Sequence, residues 1–235
     1  SSKIPKVLYK TMIKKIVRKG KYLIFFHSNN YALVLHLGMT GFFRIETFYN
    51  YRKHDHIIFS FKDKKLVFND VRKFGFIKIY LKEKVLLSKH LKKLGPDPLS
   101  KDFSYAYFKK NLKRKTNIKN LLMNQNFTSG LGNIYCSEIL FDSRVSPIRE
   151  IKSLNDKELQ KIIASTKKIL KHAIRLGGTT IKNFVVSNEK IGYFKNKLMV
   201  YGQEGLHCQR CANGSIIKRI HQSGRSTFFC PKCQL

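Results

Sequence analysis

Cys208, Cys211, Cys230 and Cys233 form two Cys-x2-Cys pairs with 18 residues between them. A Cys-x2-Cys turn aims two thiolates at one point, and two such turns supply the four soft ligands of tetrahedral zinc. Redox dithiols come singly on a βαβ pattern, so two pairs around one segment point to a metal rather than to disulfides. Protein fills all four positions, which predicts one structural Zn2+ with no open site for chemistry. His207 and His221 are spare, and the fifth cysteine, Cys136, is isolated. The intervening "SIIKRIHQSGRSTFF" has strand-like ends around a Gln-Ser-Gly turn and predicts a β-hairpin. A hairpin of this size has no core of its own, so Lys218, Arg219, His221 and Arg225 near its tip are available to phosphates.

The elements that must carry this finger change character along the chain. Residues 1–95 read as β-rich. "YALVLHLGMTGFFRI" puts Leu33, Leu35 and Leu37 on one face and Val34 and His36 on the other. "HIIFSFKDKKLVFND" reads as a hairpin around a polar turn at Lys62–Lys65, and "KFGFIKIYL" as a further strand. "LGPDPLS" (94–100) reads as a linker. Beyond it, "DFSYAYFKKNLKRK", "NIKNLLMNQ" and "GNIYCSEILFDS" read as short helices. Then Leu159, Ile162, Ile163, Thr166, Ile169, Leu170, Ala173 and Ile174 recur at helical spacing. Ser153 with Asp156 predicts a capping box and Gly177-Gly178 a stop, for a helix of about 23 residues and about 34 Å. The expected organisation is α+β and multidomain: 1–95 a β sandwich or barrel, 96–195 a helical domain, 196–235 the zinc finger.

Lys plus Arg number 47 against 14 Asp plus Glu, a net charge of +33 spread along the whole sequence. A folded chain this basic expects a polyanion, most simply nucleic acid. Part of the lysine count fits the codon bias of an AT-rich gene, since Ile, Asn and Phe are abundant too. Apolar residues make up 43%, enough for a packed core, and no run of about 18 apolar residues suggests a membrane span. The start "SSKIPKVLYK" lacks the apolar stretch of a signal peptide, and the cysteine usage fits a reducing cytosol.

"GKYL" (20–23), "HLGMTG" (36–41), "KHDH" (53–56), "DVRKFG" (70–75) and "LGPDPLS" are followed in order by "RKTNIKNLLMNQ" (114–125) and "GLGNIYCSEILF" (130–141). "GGTTIKNF" (177–184), "GYF…LMVYGQEG" (192–205) and the four-cysteine hairpin complete the series. From about residue 15 onward the chain resembles bacterial formamidopyrimidine-DNA glycosylase, which excises 8-oxoguanine and ring-opened purines. The resemblance implies an N-terminal β-sandwich, a helix–two-turns–helix domain and a C-terminal zinc finger. It further implies a monomer in a bacterial cytoplasm, associated with the nucleoid, acting on double-stranded DNA that holds oxidised bases or abasic sites. Lys21 matches the lysine at the phosphate beside the lesion, which assists β-elimination. Arg225 matches the finger arginine on the same phosphate, assigned to δ-elimination; its forked head suits a bidentate phosphate contact. His54, Arg72, Arg114, Lys119 and Asn133 match positions that contact DNA or line the active site. Met39, Arg72 and Phe74 match the wedge that fills the gap left by an extruded nucleotide. The complete wedge and "GGTTIKNF", the loop that closes over a damaged purine, favour this branch over the related endonuclease VIII branch for oxidised pyrimidines.

The family's nucleophile is an N-terminal proline followed by a glutamate; a terminal secondary amine attacks C1′ of the damaged nucleotide. This sequence opens Ser1-Ser2-Lys3, and Pro5 is internal. The expectation is an N-terminally incomplete copy of a full-length glycosylase, the chain as given lacking that nucleophile. The alternative is an inactive damaged-DNA-binding remnant. The finger's inter-pair loop is slightly longer than usual. Cys136 stands where the family commonly has a small residue and is expected in the core.

Overall fold

The computed structural model describes residues 6–179, 192–211 and 214–235. The chain divides into two compact units, Ser1–Lys92 with Thr179–Tyr193, and Lys93–Gly178 with Phe194–Leu235.

The first unit is a sandwich of two antiparallel sheets. Strands β1 (Ile13–Lys19), β2 (Tyr22–His27) and β3 (Tyr31–His36) form a meander, and β4 (Phe42–Glu46) crosses to the second sheet. Strands β5 (Asp55–Ser60) and β6 (Lys65–Asn69) form the expected hairpin, closed where the Phe61 amide donates to the Lys64 carbonyl. β7 (Phe76–Leu81) returns to pair with β3, giving the orders β1-β2-β3-β7 and β4-β6-β5. The period of two puts Leu33 and Leu35 beside Phe25 on one face, packed on Phe43, Phe59 and Leu66 of the other sheet. Val34, on the opposite face, is buried as well, so β3 is an interior strand covered on both sides.

The second unit is helical. It contains α1 (Tyr105–Asn111), α2 (Ile118–Met123), α3 (Asn133–Asp142) and α4 (Asp156–Arg175). A turn-rich stretch, 124–132, separates α2 from α3 and gives the helix–two-turns–helix arrangement. Phe103, Phe108 and Phe127 meet edge-on at 5.1–6.4 Å among Ile118, Leu122, Ile139 and Leu159. Cys136 is buried in this cluster, as its sequence context implied.

Two sequence expectations for α4 change. The capping box is Asn155 with Glu158, not Ser153 with Asp156. Asn155 Oδ1 accepts from the Glu158 amide, and Glu158 Oε2 accepts from the Asn155 amide. Ser153 instead donates to the Glu150 carbonyl in the preceding turn. α4 therefore has 20 residues, about 30 Å. It stops in a Schellman motif: Gly177, at φ +75°, donates to the Ile174 carbonyl and Gly178 to that of Ala173. Ile174, placed on the apolar stripe by its spacing, is 66% exposed.

β8 (Lys218–Gln222) and β9 (Arg225–Phe229) form the finger hairpin. Its two-residue turn has Ser223 and Gly224 both at positive φ, the backbone twist that suits a tight hairpin. The finger shares a core with the helices, since Phe141 of α3 packs with Val200, Cys208, Ile217, Phe228 and Cys230.

Candidate nucleic-acid interface

Met39 and Phe74 are 59% and 55% exposed although both are large and apolar. They stand on two loops, 37–41 and 70–75, that follow β3 and β6. Arg72 ties them together: its guanidinium carbon lies 4.6 Å from the Phe74 ring centroid, and Nη1 is 3.3 Å from Met39 Sδ. Under the trio lies Asp70, fully buried. Its Oδ1 accepts from the Thr40 hydroxyl at 2.5 Å and its Oδ2 from the Gly75 amide at 2.7 Å. The Arg72 amide lies 3.1 Å from Thr40 Oγ1 and 3.3 Å from Asp70 Oδ1. Burial would raise the Asp70 carboxyl, but these donors outweigh it and hold the group below the ordinary carboxylate value.

The loops approach so closely that glycine is required. A Cβ on Gly38, at φ +68°, would sit 2.6 Å from the Gly75 nitrogen. That contact accounts for Gly38 of "HLGMTG", whereas a Cβ on Gly41 would meet the Leu37 carbonyl oxygen at 2.2 Å and one on Gly75 of "DVRKFG" would meet Phe68 Cζ at 2.5 Å.

His54 is held in the left-handed region at φ +74°, where a non-glycine residue needs outside support. The buried Arg44 supplies it. Its guanidinium grips Asp55 at 2.5 and 2.6 Å and donates to Glu46 and to the Asn50 carbonyl. Asn69 bridges Asp55 and the Lys53 carbonyl, and the Asp70 amide donates to the His54 carbonyl. Burial opposes the charge on Asp55, yet Arg44, Asn69 and the Arg52 amide keep it well below the usual carboxylate range. Lys21 is exposed in the β1–β2 turn beside Gly20, at φ +59°. The His36 imidazole opens the Met39 loop by accepting from the Gly38 amide at 3.0 Å. It is lowered first by burial and then by the charge of Lys21, so that lysine lies on the wedge side of the sandwich.

In the second unit the four cysteine sulfurs lie within 4.8 Å of one another. Cys208 and Cys233 are 3.8 Å apart, Cys211 and Cys230 3.7 Å. A tetrahedron with Zn–S bonds of about 2.3 Å has edges of about 3.8 Å. The donor set therefore fits one structural Zn2+, and the Cys233 amide already points at the Cys230 sulfur.

Arg225 opens β9 and is exposed. The carbonyl of the next residue, Ser226, accepts from Asn133 Nδ2 at 2.8 Å and from Lys119 Nζ at 3.3 Å. Lys119 is fully buried and also donates to the Thr227 hydroxyl. Burial, with a smaller push from Arg225, lowers its ammonium to about 8. Lys119 and Asn133 thus reach the finger rather than standing free on the surface. Arg114 is exposed, 6.0 Å from the Phe127 ring centroid. The first turn of α3 is capped by Gly132 with no side-chain bond, which leaves its leading amides open.

Set beside known proteins, residues 2–77 match the formamidopyrimidine-DNA glycosylase N-terminal domain and residues 94–185 its H2TH domain. Residues 205–235 match a zinc finger found in FPG and IleRS. The formamidopyrimidine-DNA glycosylase of Rickettsia bellii (strain OSU 85-389) is 44% identical over 227 residues, 95% of this chain and 82% of the relative. The chain belongs to the formamidopyrimidine-DNA glycosylase family. Its Rickettsia felis relative is 43% identical over the same length, covering 81% of that protein. Lactococcus lactis Fpg, solved with abasic-site DNA, has a TM-score of 0.91 at 38% identity, over 97% of this chain and 84% of that one. MutM in complex with carbocyclic 8-oxo-G DNA has a TM-score of 0.90 at the same identity and coverage. The formamidopyrimidine-DNA glycosylase fold expected from the motifs is present: sandwich, helix–two-turns–helix and finger.

The "GGTTIKNF" expectation falls largely outside the described residues, which end at Thr179 on that side, as do Ser1 and Pro5. Sequence reading missed Asp70, Arg44 and the burial of Lys119. Asp70 carried a signal in the motif that pairs an Asp with nearby glycines, but the Lys119 partners lie 107 and 108 residues away.

Proposed function

We propose that this protein is a base-excision repair DNA glycosylase and abasic-site lyase that removes oxidised purines, 8-oxoguanine and formamidopyrimidines, from double-stranded DNA. It then nicks the strand by β,δ-elimination, and it works as a monomer in the cytoplasm. The observation that carries the reading is the Met39–Arg72–Phe74 cluster, two exposed apolar side chains bridged by a guanidinium on a clamped pair of loops. Pushing such a group into a duplex offsets part of the unstacking cost of a few kcal/mol.

In this reading Arg72 faces the orphaned base. Lys21 and Arg225 are the catalytic cations, and His54, Arg114, Asn133 and the α3 amides contact the DNA backbone. Lys119 stands behind Arg225. Zn2+ supplies no chemistry to the bond-breaking steps; it fixes the hairpin that carries Arg225. Bacterial relatives named formamidopyrimidine-DNA glycosylase and the lesion-containing DNA in the solved neighbours support the substrate class.

Borohydride trapping tests it. Protein begun at the native start codon should form a covalent adduct with an 8-oxoguanine duplex and cut it faster than one bearing an oxidised pyrimidine. No adduct from that protein overturns the catalytic reading, and a preference for the pyrimidine moves it to the endonuclease VIII branch.

A further inference from the structure

Asp70 is a buried carboxylate whose hydrogen-bond partners are a hydroxyl and two amides. We infer that Asp70 is a positioning residue for nucleotide extrusion, locking loop 37–41 to loop 70–75 so that Met39, Arg72 and Phe74 enter DNA as one preformed wedge. The inference rests on the wedge reading of those three residues.

The geometry singles out a carboxylate at this position. Three donors on two loops converge on its two oxygens: the Thr40 hydroxyl from the first loop, and the Arg72 and Gly75 amides from the second. Only a group with two acceptor oxygens and no donor meets all three. Asparagine would aim its own NH2 at either the Thr40 side or the Gly75 amide. The Arg72 amide is shared between Asp70 Oδ1 and Thr40 Oγ1, so both acceptors set the backbone from which the wedge arginine springs.

The main chain of Asp70 carries the lock further. Its amide donates to the His54 carbonyl, and its carbonyl lies 2.8 Å from His56 Nε2. The Lys73 backbone, at φ +57°, sits in a conformation that outside contacts must hold. Close packing completes the clamp, because a Cβ on Gly75 would lie 2.5 Å from Phe68 Cζ and 3.1 Å from Asp70 Oδ2. A wedge on loose loops would have to order its backbone at the moment of insertion, losing conformational entropy as it binds. The carboxylate removes that cost in advance.

The test uses full-length protein and a duplex with a tetrahydrofuran abasic analogue opposite 2-aminopurine, whose fluorescence reports insertion. Asp70→Asn and Thr40→Val should each lower the amplitude or rate of that response by about tenfold, as expected for a lost buried charge-assisted bond. Affinity for undamaged duplex should stay within about twofold, because phosphate contacts carry it. Phe74→Ala and Met39→Ala are the reference variants. If they lose the response while Asp70→Asn and Thr40→Val keep it, the wedge stands and the role of Asp70 is overturned. If the reference variants also respond like wild type, the wedge reading falls and takes this inference with it. Should Asp70→Asn not fold, as judged by thermal unfolding, Thr40→Val decides alone, and a full response from it overturns the inference.

Discussion

Lys119 shows how one residue can be chosen for its motif while its burial stays invisible in the sequence. In a chain with 47 Lys and Arg, a lysine is by default a solvated charge. This one is fully buried, and its ammonium is lowered to about 8, chiefly by burial. The sign of the pH effect follows. The unfolded chain keeps the Lys119 proton to above about pH 10, whereas the folded chain releases it near 8. Between those values the unfolded state binds more protons, so stability rises with pH; below about 8 both states are charged and the desolvation cost is present in full. Denaturant titrations at about pH 7.5 and 9.5 should show wild type gaining up to about 2 kcal/mol relative to Lys119→Met. Equal pH responses would mean that Lys119 is solvated in solution. The motif made the residue a candidate, but its burial depends on Thr227 and the Ser226 carbonyl, over a hundred residues away, and no local pattern encodes that.

At the level of elements, legibility tracked how local the cause is. The β5–β6 hairpin, the four short-to-long helices and the finger hairpin all follow from period and turn chemistry within their own segments. The cap of α4 was shifted by two residues because Asn-x-x-Glu outcompetes Ser-x-x-Asp: the glutamate reaches back to the cap amide, and Ser153 is already spent on Glu150. The finger needs its metal for a reason visible in its packing. Cys208 and Cys230 are members of the small cluster that joins it to Phe141, so the thiolates are both ligands and core. Removing Zn2+ leaves four thiols crowded within 4.8 Å with no charge to hold them. Chelation should therefore open the hairpin to trypsin at Arg210, Lys218, Arg219 and Arg225, while the sandwich strands stay protected. Added zinc should restore resistance. A hairpin that resists trypsin equally with and without metal would show that packing on the helices suffices.

For the whole molecule the open issue is how much of the +33 charge is functional. A lysine-rich coding bias and a DNA-binding surface both raise the total, but only phosphate contacts release counterions on binding. The two causes therefore separate in the salt dependence of DNA affinity. A specific interface touching roughly 6–10 phosphates loses about 10³–10⁵ in affinity between about 50 and 200 mM salt, far less than a chain using all its cations would. Arg225→Ala should lower the slope of log affinity against log salt by about one and weaken binding with zinc retained. Lys62→Ala, at the β5–β6 turn on the far end of β5 from His54, should leave the slope unchanged. Equal effects of the two substitutions would mean that the charge acts as a diffuse cloud. A loss confined to Arg225 would mean that the hairpin exists to deliver that one guanidinium, and that most of the lysine excess stands apart from the DNA.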